Sequence, residues 1–215
     1  MPIALIVGAY LVGAIPFGFL IGKSKGVDVR KYGSGSIGTS NVARTLGKQA
    51  AILTLLGDGL KGLIPVLLAK GLLEGNAWTV VATGLAAVAG HNWPVYLKFK
   101  GGKGVTTTYG AFLGIAWLPA SLTILAWVLI SALTKTSSLA ALISSLTAPL
   151  FAYALGTPRP VIVFTAIAVV MIYLRHTTNI KRLLTGTENR LTDNIQVDQE
   201  DSESRQPPES ADSKS

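Results

Sequence analysis

The chain has 215 residues, 49% hydrophobic and only 14% charged, with a formal net charge of +8. A soluble domain carries about a quarter charged residues, so lipid is the expected solvent. The basic charge is interleaved with apolar runs and lacks an aromatic–basic platform, which argues against nucleic acid. The absence of cysteine excludes disulfides, thiolate metal sites and cysteine nucleophiles. With two histidines, a multi-histidine metal site is unsupported, and neither a metal nor a cofactor is expected.

A membrane helix needs about 20 consecutive apolar residues. Ile3–Gly22 supplies the first span. It reads as a retained span, because it is long for a leader, lacks a clear small-residue cleavage site and is followed by further spans. The polar stretch Lys31–Arg44 follows. Its glycines let backbone N–H groups approach an anion. Ser34, Ser36, Thr39 and Asn41 add neutral donors, and Arg44 adds a fork suited to phosphate. The same stretch also suits a flexible loop with a helix cap near Thr39 or Ser40. Gly33, Gly35 and Gly38 match a dinucleotide fingerprint, but no strand precedes them, so the match carries nothing.

Ala50–Ala69 is the second span. Asp58 and Lys61 lie within it, three residues apart, and charges in a span pair or face a polar cavity. A structural pair is the expectation. Ala77–Ala89, running toward Leu97, is the third span, with His91 a polar anchor at its end. Next comes Lys98-Phe-Lys-Gly-Gly-Lys-Gly-Val-Thr-Thr-Thr108, where Gly101, Gly102 and Gly104 surround Lys103 just before a helix. A helix N-terminus with a lysine favours an anion. A basic turn lying among lipid head groups is the competing reading.

Val105–Leu118 and Ala120–Leu133, parted by Pro119, read as two short spans. The turn Lys135-Thr-Ser-Ser138 follows, suited to capping the next helix or to touching a ligand. Leu139–Leu155 and Pro160–Leu174 complete seven spans, the alternative being five with re-entrant segments. The last polar segment is Arg175–Arg182, where His176 and Asn179 share a helical face. Histidine is the usual general base near neutral pH, although a single interfacial histidine also occurs as a structural group.

Lys and Arg gather after the first, third, fifth and seventh segments, while the intervening loops hold only Lys70 and Arg159. The charge rule puts those basic loops in the cytoplasm, the N-terminus outside and the C-terminus inside. All four functional-looking segments then share the cytoplasmic face of an inner (plasma) membrane. Residues 1–191 carry 17 basic and 4 acidic residues, a net of +13; residues 192–215 carry 2 and 7, a net of −5. The first is the expected membrane domain, and the second an acidic disordered tail.

Five stretches resemble one family: GSGSIGTSNVARTLGK, LTLLGDGLKG, GHNWPVYLKFKGGKGVTTTYG, TSSLAALIS and RHTTNIKRLLTGTE. They are similar, in order and over most of residues 8–188, to the bacterial membrane glycerol-3-phosphate acyltransferases that use acyl-phosphate. The chain departs from the commoner family wording at Ser36, Ser40 and Thr106, none of which removes a charged group. The resemblance implies an all-α integral membrane enzyme without cofactors. It would move a fatty acyl group from acyl-phosphate to the 1-hydroxyl of glycerol 3-phosphate, giving lysophosphatidic acid and inorganic phosphate. It further implies catalytic roles for Ser34, His176 and Asn179. Phosphate contacts are implied for Asn41, Arg44, Ser138 and the Gly101–Gly104 loop with Lys103. Membrane lipid and a soluble acyl-phosphate synthase are the implied partners. The chain lacks the H-x-x-x-x-D pair of other glycerophosphate acyltransferases, since Tyr96 follows His91 and Lys181 follows His176 at that spacing. A transporter or channel for a phosphorylated metabolite is the alternative from another class, and a non-catalytic partner of lipid-synthesis enzymes is a third.

Overall fold

A computed structural model describes residues 2–72, 76–193 and 195. It is helical throughout, and among these residues there is no strand. In chain order the helices are α1 (Pro2–Gly13), α2 (Phe17–Ser24), α3 (Thr39–Leu72), α4 (Ala77–Asn92), α5 (Val105–Ile115), α6 (Trp117–Thr134), α7 (Ser137–Ala154), α8 (Arg159–Arg175) and α9 (Thr177–Leu184). Each of the seven apolar segments is helical.

The breaks fall where the backbone dictates. The first segment is interrupted before Pro16, which has no N–H to continue the ladder. At this break the Ile15 carbonyl accepts from the Phe17 N–H at 3.2 Å and from Lys61 Nζ at 2.7 Å. The same ammonium pairs with Asp58 Oδ1 at 2.7 Å, and His91 Nδ1 lies 3.5 Å from that oxygen. The intramembrane charges therefore form the structural pair expected of them. Helix α3 begins well before Ala50 and is broken at Gly47, whose φ of 81° is open to glycine. Helix α4 stops at Asn92 instead of continuing to Leu97, because Pro94 cannot donate; a single 3-10 turn covers Val95–Leu97.

The interruption expected at Pro119 falls instead at Ala116. Pro119 sits inside the first turn of α6, where a missing N–H costs nothing because first-turn donors have no partner within the helix.

Four apolar stretches are long enough to cross a bilayer: 2–24, 39–72, 117–134 and 137–154; a fifth arises if α8 and α9, bent by 64°, count as one. The 16 residues of α4 and the 11 of α5 are short for a span. Helix packing relies on small residues, as expected where lipid supplies no hydrophobic drive between helices. A Cβ on Gly62 would collide with the Thr107 carbonyl, and one on Gly110 with that of Gly59, so α3 and α5 meet backbone to backbone. Leu53, Leu56, Leu67, Leu129 and Leu150 point outward, at positions suited to lipid tails. A buried cluster around Val66, Phe112 and Phe164 ties α3, α5 and α8 together.

Candidate functional site

The helix ends and the loops between them enclose one cavity of about 470 Å³. Its polar wall includes Ser34, Asn41, Arg44, Lys103, Gly104, Ser138, His176 and Asn179. Eight of the ten residues expected from the sequence thus share one space. Gly101 and Gly102 do not line it. The cavity continues along Leu55, Leu60, Leu63, Leu113, Ile124 and Trp127 on α3, α5 and α6. One end is therefore cationic and the other apolar.

The first loop is shaped by Asn41, which is 1% exposed. Its Oδ1 accepts from the Ser34 N–H at 2.9 Å, and its Nδ2 donates to the carbonyls of Val29, Tyr32 and Ser36. The amide is occupied by the backbone, so its work is to hold the loop's shape. Arg44 sits one helical turn beyond Asn41 and is 9% exposed. Among the described residues its side chain makes two long bonds: Nη2 to Ser34 Oγ at 3.5 Å and Nη1 to the Arg190 carbonyl at 3.4 Å. Arg44 Nε is buried with no hydrogen-bond partner among the described residues. This guanidinium therefore keeps donor capacity for an anion.

The Gly-rich loop is clasped from outside. Gly102 N–H donates to the His91 carbonyl at 3.0 Å. Arg175 donates to the carbonyls of Gly101 and Gly102 at 2.8 and 2.9 Å. The Gly102 N–H is thus taken by the backbone and not open to a ligand. Gly104 has a φ of 79°, caps α5, and could carry no Cβ because Asn92 Oδ1 would lie 2.5 Å away. Burial pushes the Lys103 ammonium down to about 8, helped by Arg182, Arg44 and Arg175 and opposed by Glu188.

At the remaining corner, Ser138 Oγ donates to Glu188 Oε1 at 2.9 Å, Asn179 Nδ2 to the same oxygen at 2.6 Å, and Arg182 Nε to Oε2 at 2.7 Å. Burial opposes the charge of Glu188, but these three bonds outweigh it and hold the carboxyl below its usual range. Asn179 Oδ1 has no hydrogen-bond partner among the described residues. His176, at the bend between α8 and α9, is 2% exposed, and its Nδ1 lies 2.8 Å from the Ile172 carbonyl. A carbonyl only accepts, so Nδ1 carries the proton and the neutral ring presents Nε2 as acceptor. Ser40 and Ser137 join the first loop to the third turn at 2.8 Å.

The ordered contacts extend past residue 191. Asp193 accepts from the Arg190 N–H at 2.6 Å, and Ile195 N–H donates to the Arg44 carbonyl at 3.2 Å. The rest of the acidic tail lies outside the described residues. Glu188 and Arg175 escaped the sequence reading as site residues. Glu188 carried a signal, because it is one of only four acidic residues before the tail.

Comparison with known proteins gives one answer. The family model described as glycerol-3-phosphate acyltransferase matches residues 3–186. The glycerol-3-phosphate acyltransferase of Rubrobacter xylanophilus is 45% identical over 192 residues, covering 88% of this chain and 95% of that protein. That of Geotalea daltonii is 47% identical over 189 residues, covering 87% and 96%. The crystal structure of PlsY (YgiH), an integral membrane glycerol 3-phosphate acyltransferase, superposes in its glycerol 3-phosphate form with a TM-score of 0.85, at 41% identity over 88% of this chain and 94% of that one. Its lysophosphatidic acid form gives 0.83. The chain belongs to the glycerol-3-phosphate acyltransferase family.

Proposed function

We propose that this multi-pass membrane acyltransferase moves a fatty acyl group from acyl-phosphate to the 1-hydroxyl of sn-glycerol 3-phosphate. The observation that carries the reading is the two-ended cavity: Arg44 and Lys103 at one end, a leucine-lined groove at the other. A phosphorylated head and a fatty chain fit those ends. Glycerol 3-phosphate and lysophosphatidic acid are the molecules named in the two PlsY structures.

Acyl-phosphate is a mixed anhydride with a good leaving group, so positioning and charge stabilisation suffice. Lys103 with the open N–H groups at the start of α5 holds one phosphate, and Arg44 with Ser34 holds the other. The glycerol 1-oxygen attacks the acyl carbonyl, forming the ester C–O bond as the anhydride C–O bond breaks. The electron pair leaves on phosphate. The hydroxyl proton passes to His176 Nε2, or to a substrate phosphate oxygen positioned by Asn179 and Ser138. Asn41 serves as a strut of the first loop.

Seven crossings, an external N-terminus and a cytoplasmic site at the inner membrane complete the proposal. The distribution of Lys and Arg supports the orientation. Helices α3 and α5 run parallel: Gly59 faces Thr106, Val66 faces Gly114, and Lys70 Nζ donates to the Gly114 carbonyl at 3.0 Å. A cytoplasmic site would receive its donor from a soluble acyl-phosphate synthase. A transporter would place its polar groups near midplane, whereas here they cluster at helix ends.

The test is phosphate release by the purified protein, in lipid mesophase or detergent, from palmitoyl-phosphate and glycerol 3-phosphate. Acyl-CoA replaces the donor in a parallel run. Release should require both substrates and yield lysophosphatidic acid, with acyl-CoA inert. Turnover with acyl-CoA alone would overturn the donor assignment.

A further inference from the structure

Arg175, the last residue of α8, reads in the sequence only as a charge at a membrane boundary. In the structure its planar fork bonds the loop backbone twice, from Nη2 to the Gly101 carbonyl and from Nε to that of Gly102. Its guanidinium also lies 5.9 Å from the centroid of the Trp93 ring. Arg175 does not line the cavity. It reaches the site only through the loop.

The geometry of the peptide unit gives these bonds a consequence. A trans peptide points its carbonyl and its N–H in opposite directions. The Gly101–Gly102 unit is gripped on both sides, with Arg175 on the oxygen and the His91 carbonyl on the N–H. In the next unit Arg175 holds the Gly102 oxygen, so the N–H of Lys103 is turned away from Arg175. That N–H has no acceptor among the described residues. The arrangement leaves a free backbone donor and an ammonium on the one residue of the Gly101–Lys103 stretch that lines the cavity.

We propose that Arg175 is a positioning residue for anion binding: by fixing two successive peptide planes, it brings the Lys103 N–H and ammonium to bear on one substrate phosphate. This rests on the reading of Lys103 as a phosphate-holding residue. The task calls for arginine, because a lysine ammonium offers no planar fork to two carbonyls at fixed spacing. A purely structural role, such as a positive charge at the C-terminal end of α8, would be met by lysine equally well.

The experiment compares Arg175→Ala, Arg175→Lys and Lys103→Ala in one lipid, using phosphate release from palmitoyl-phosphate and glycerol 3-phosphate. Inorganic phosphate serves as a competing ligand. Both Arg175 variants should raise the KM of one phosphorylated substrate, and the inhibition constant of inorganic phosphate, by about tenfold. Their kcat should change by less than about threefold, and added guanidinium ion should restore Arg175→Ala. Arg175→Lys with unaltered KM and phosphate inhibition overturns the proposal, and it carries the test if Arg175→Ala does not fold. Lys103→Ala separates the two ideas. If it weakens phosphate inhibition while the Arg175 variants do not, the positioning role alone fails. If it too changes nothing, the phosphate reading of Lys103 has failed.

Discussion

Asn179 donates to Glu188 Oε1 at 2.6 Å, which fixes its Nδ2, while its buried Oδ1 beside the cavity has no partner among the described residues. The same carboxylate takes Ser138 and Arg182. Two helices, α7 and α9, therefore depend on one acid. Glu188→Gln keeps the size but removes the charge, and its amide nitrogen cannot accept. We expect a loss of about 2 kcal/mol in stability, the scale of hydrogen bonds to a charged group in a half-buried pair, with activity falling alongside. The midpoint of thermal unfolding, read with phosphate release in the same detergent, checks both. An unchanged midpoint would reduce Glu188 to a surface acid.

Lys103 sets a pH limit. Its ammonium is pushed down to about 8 by burial, so the charge that attracts phosphate is full well below pH 8 and is lost as pH rises through that value. The free enzyme's kcat/KM should therefore fall on the alkaline side with an apparent pKa near 8. Bound phosphate favours the charged form, so the corresponding limb in kcat should lie higher. Lys103→Arg should abolish the alkaline limb, because a guanidinium keeps its proton. An identical limb in Lys103→Arg would assign it to another group.

His176 is prepared as an acceptor. Its Nδ1–H is fixed on the Ile172 carbonyl, leaving Nε2 for the substrate hydroxyl. His176→Ala should lower kcat by about a hundredfold or more, the usual scale for general base catalysis, with KM values changed little. Turnover near that of the parent would assign the proton to a phosphate oxygen instead.

The polar loops were legible because glycine, serine and lysine stand out against so apolar a chain. Ser34, Arg44, Lys103, Ser138, His176 and Asn179 do meet around one cavity. The sequence could not reveal which groups bond to each other. Asn41 looks like a phosphate donor by type, yet its amide is occupied by four backbone groups. Arg175 looks like a topological charge, because a side chain that bonds to carbonyls leaves no pattern in the residues it holds. Helix ends were misplaced for a similar reason. Proline breaks a helix interior but is tolerated in a first turn, so Pro119 alone could not say on which side of it α6 begins.

The Asp58–Lys61 pair offers a test inside the bundle. Both side chains are almost fully buried, and Lys61 also caps the Ile15 carbonyl at the break between α1 and α2. Lys61→Met would strand the Asp58 carboxylate beside His91, with no cation to balance it. We expect a loss of about 3 kcal/mol or more in stability. Asp58→Asn combined with Lys61→Met removes both charges and should recover part of that loss. The remaining deficit would measure the hydrogen bond Lys61 gives the Ile15 carbonyl, which still accepts from the Phe17 N–H, a loss of about 1–2 kcal/mol. Thermal unfolding of the single and double variants in one detergent decides the matter. A double variant as unstable as Lys61→Met would mean that the lysine acts through the carbonyl alone and that Asp58 has another purpose on the cavity wall.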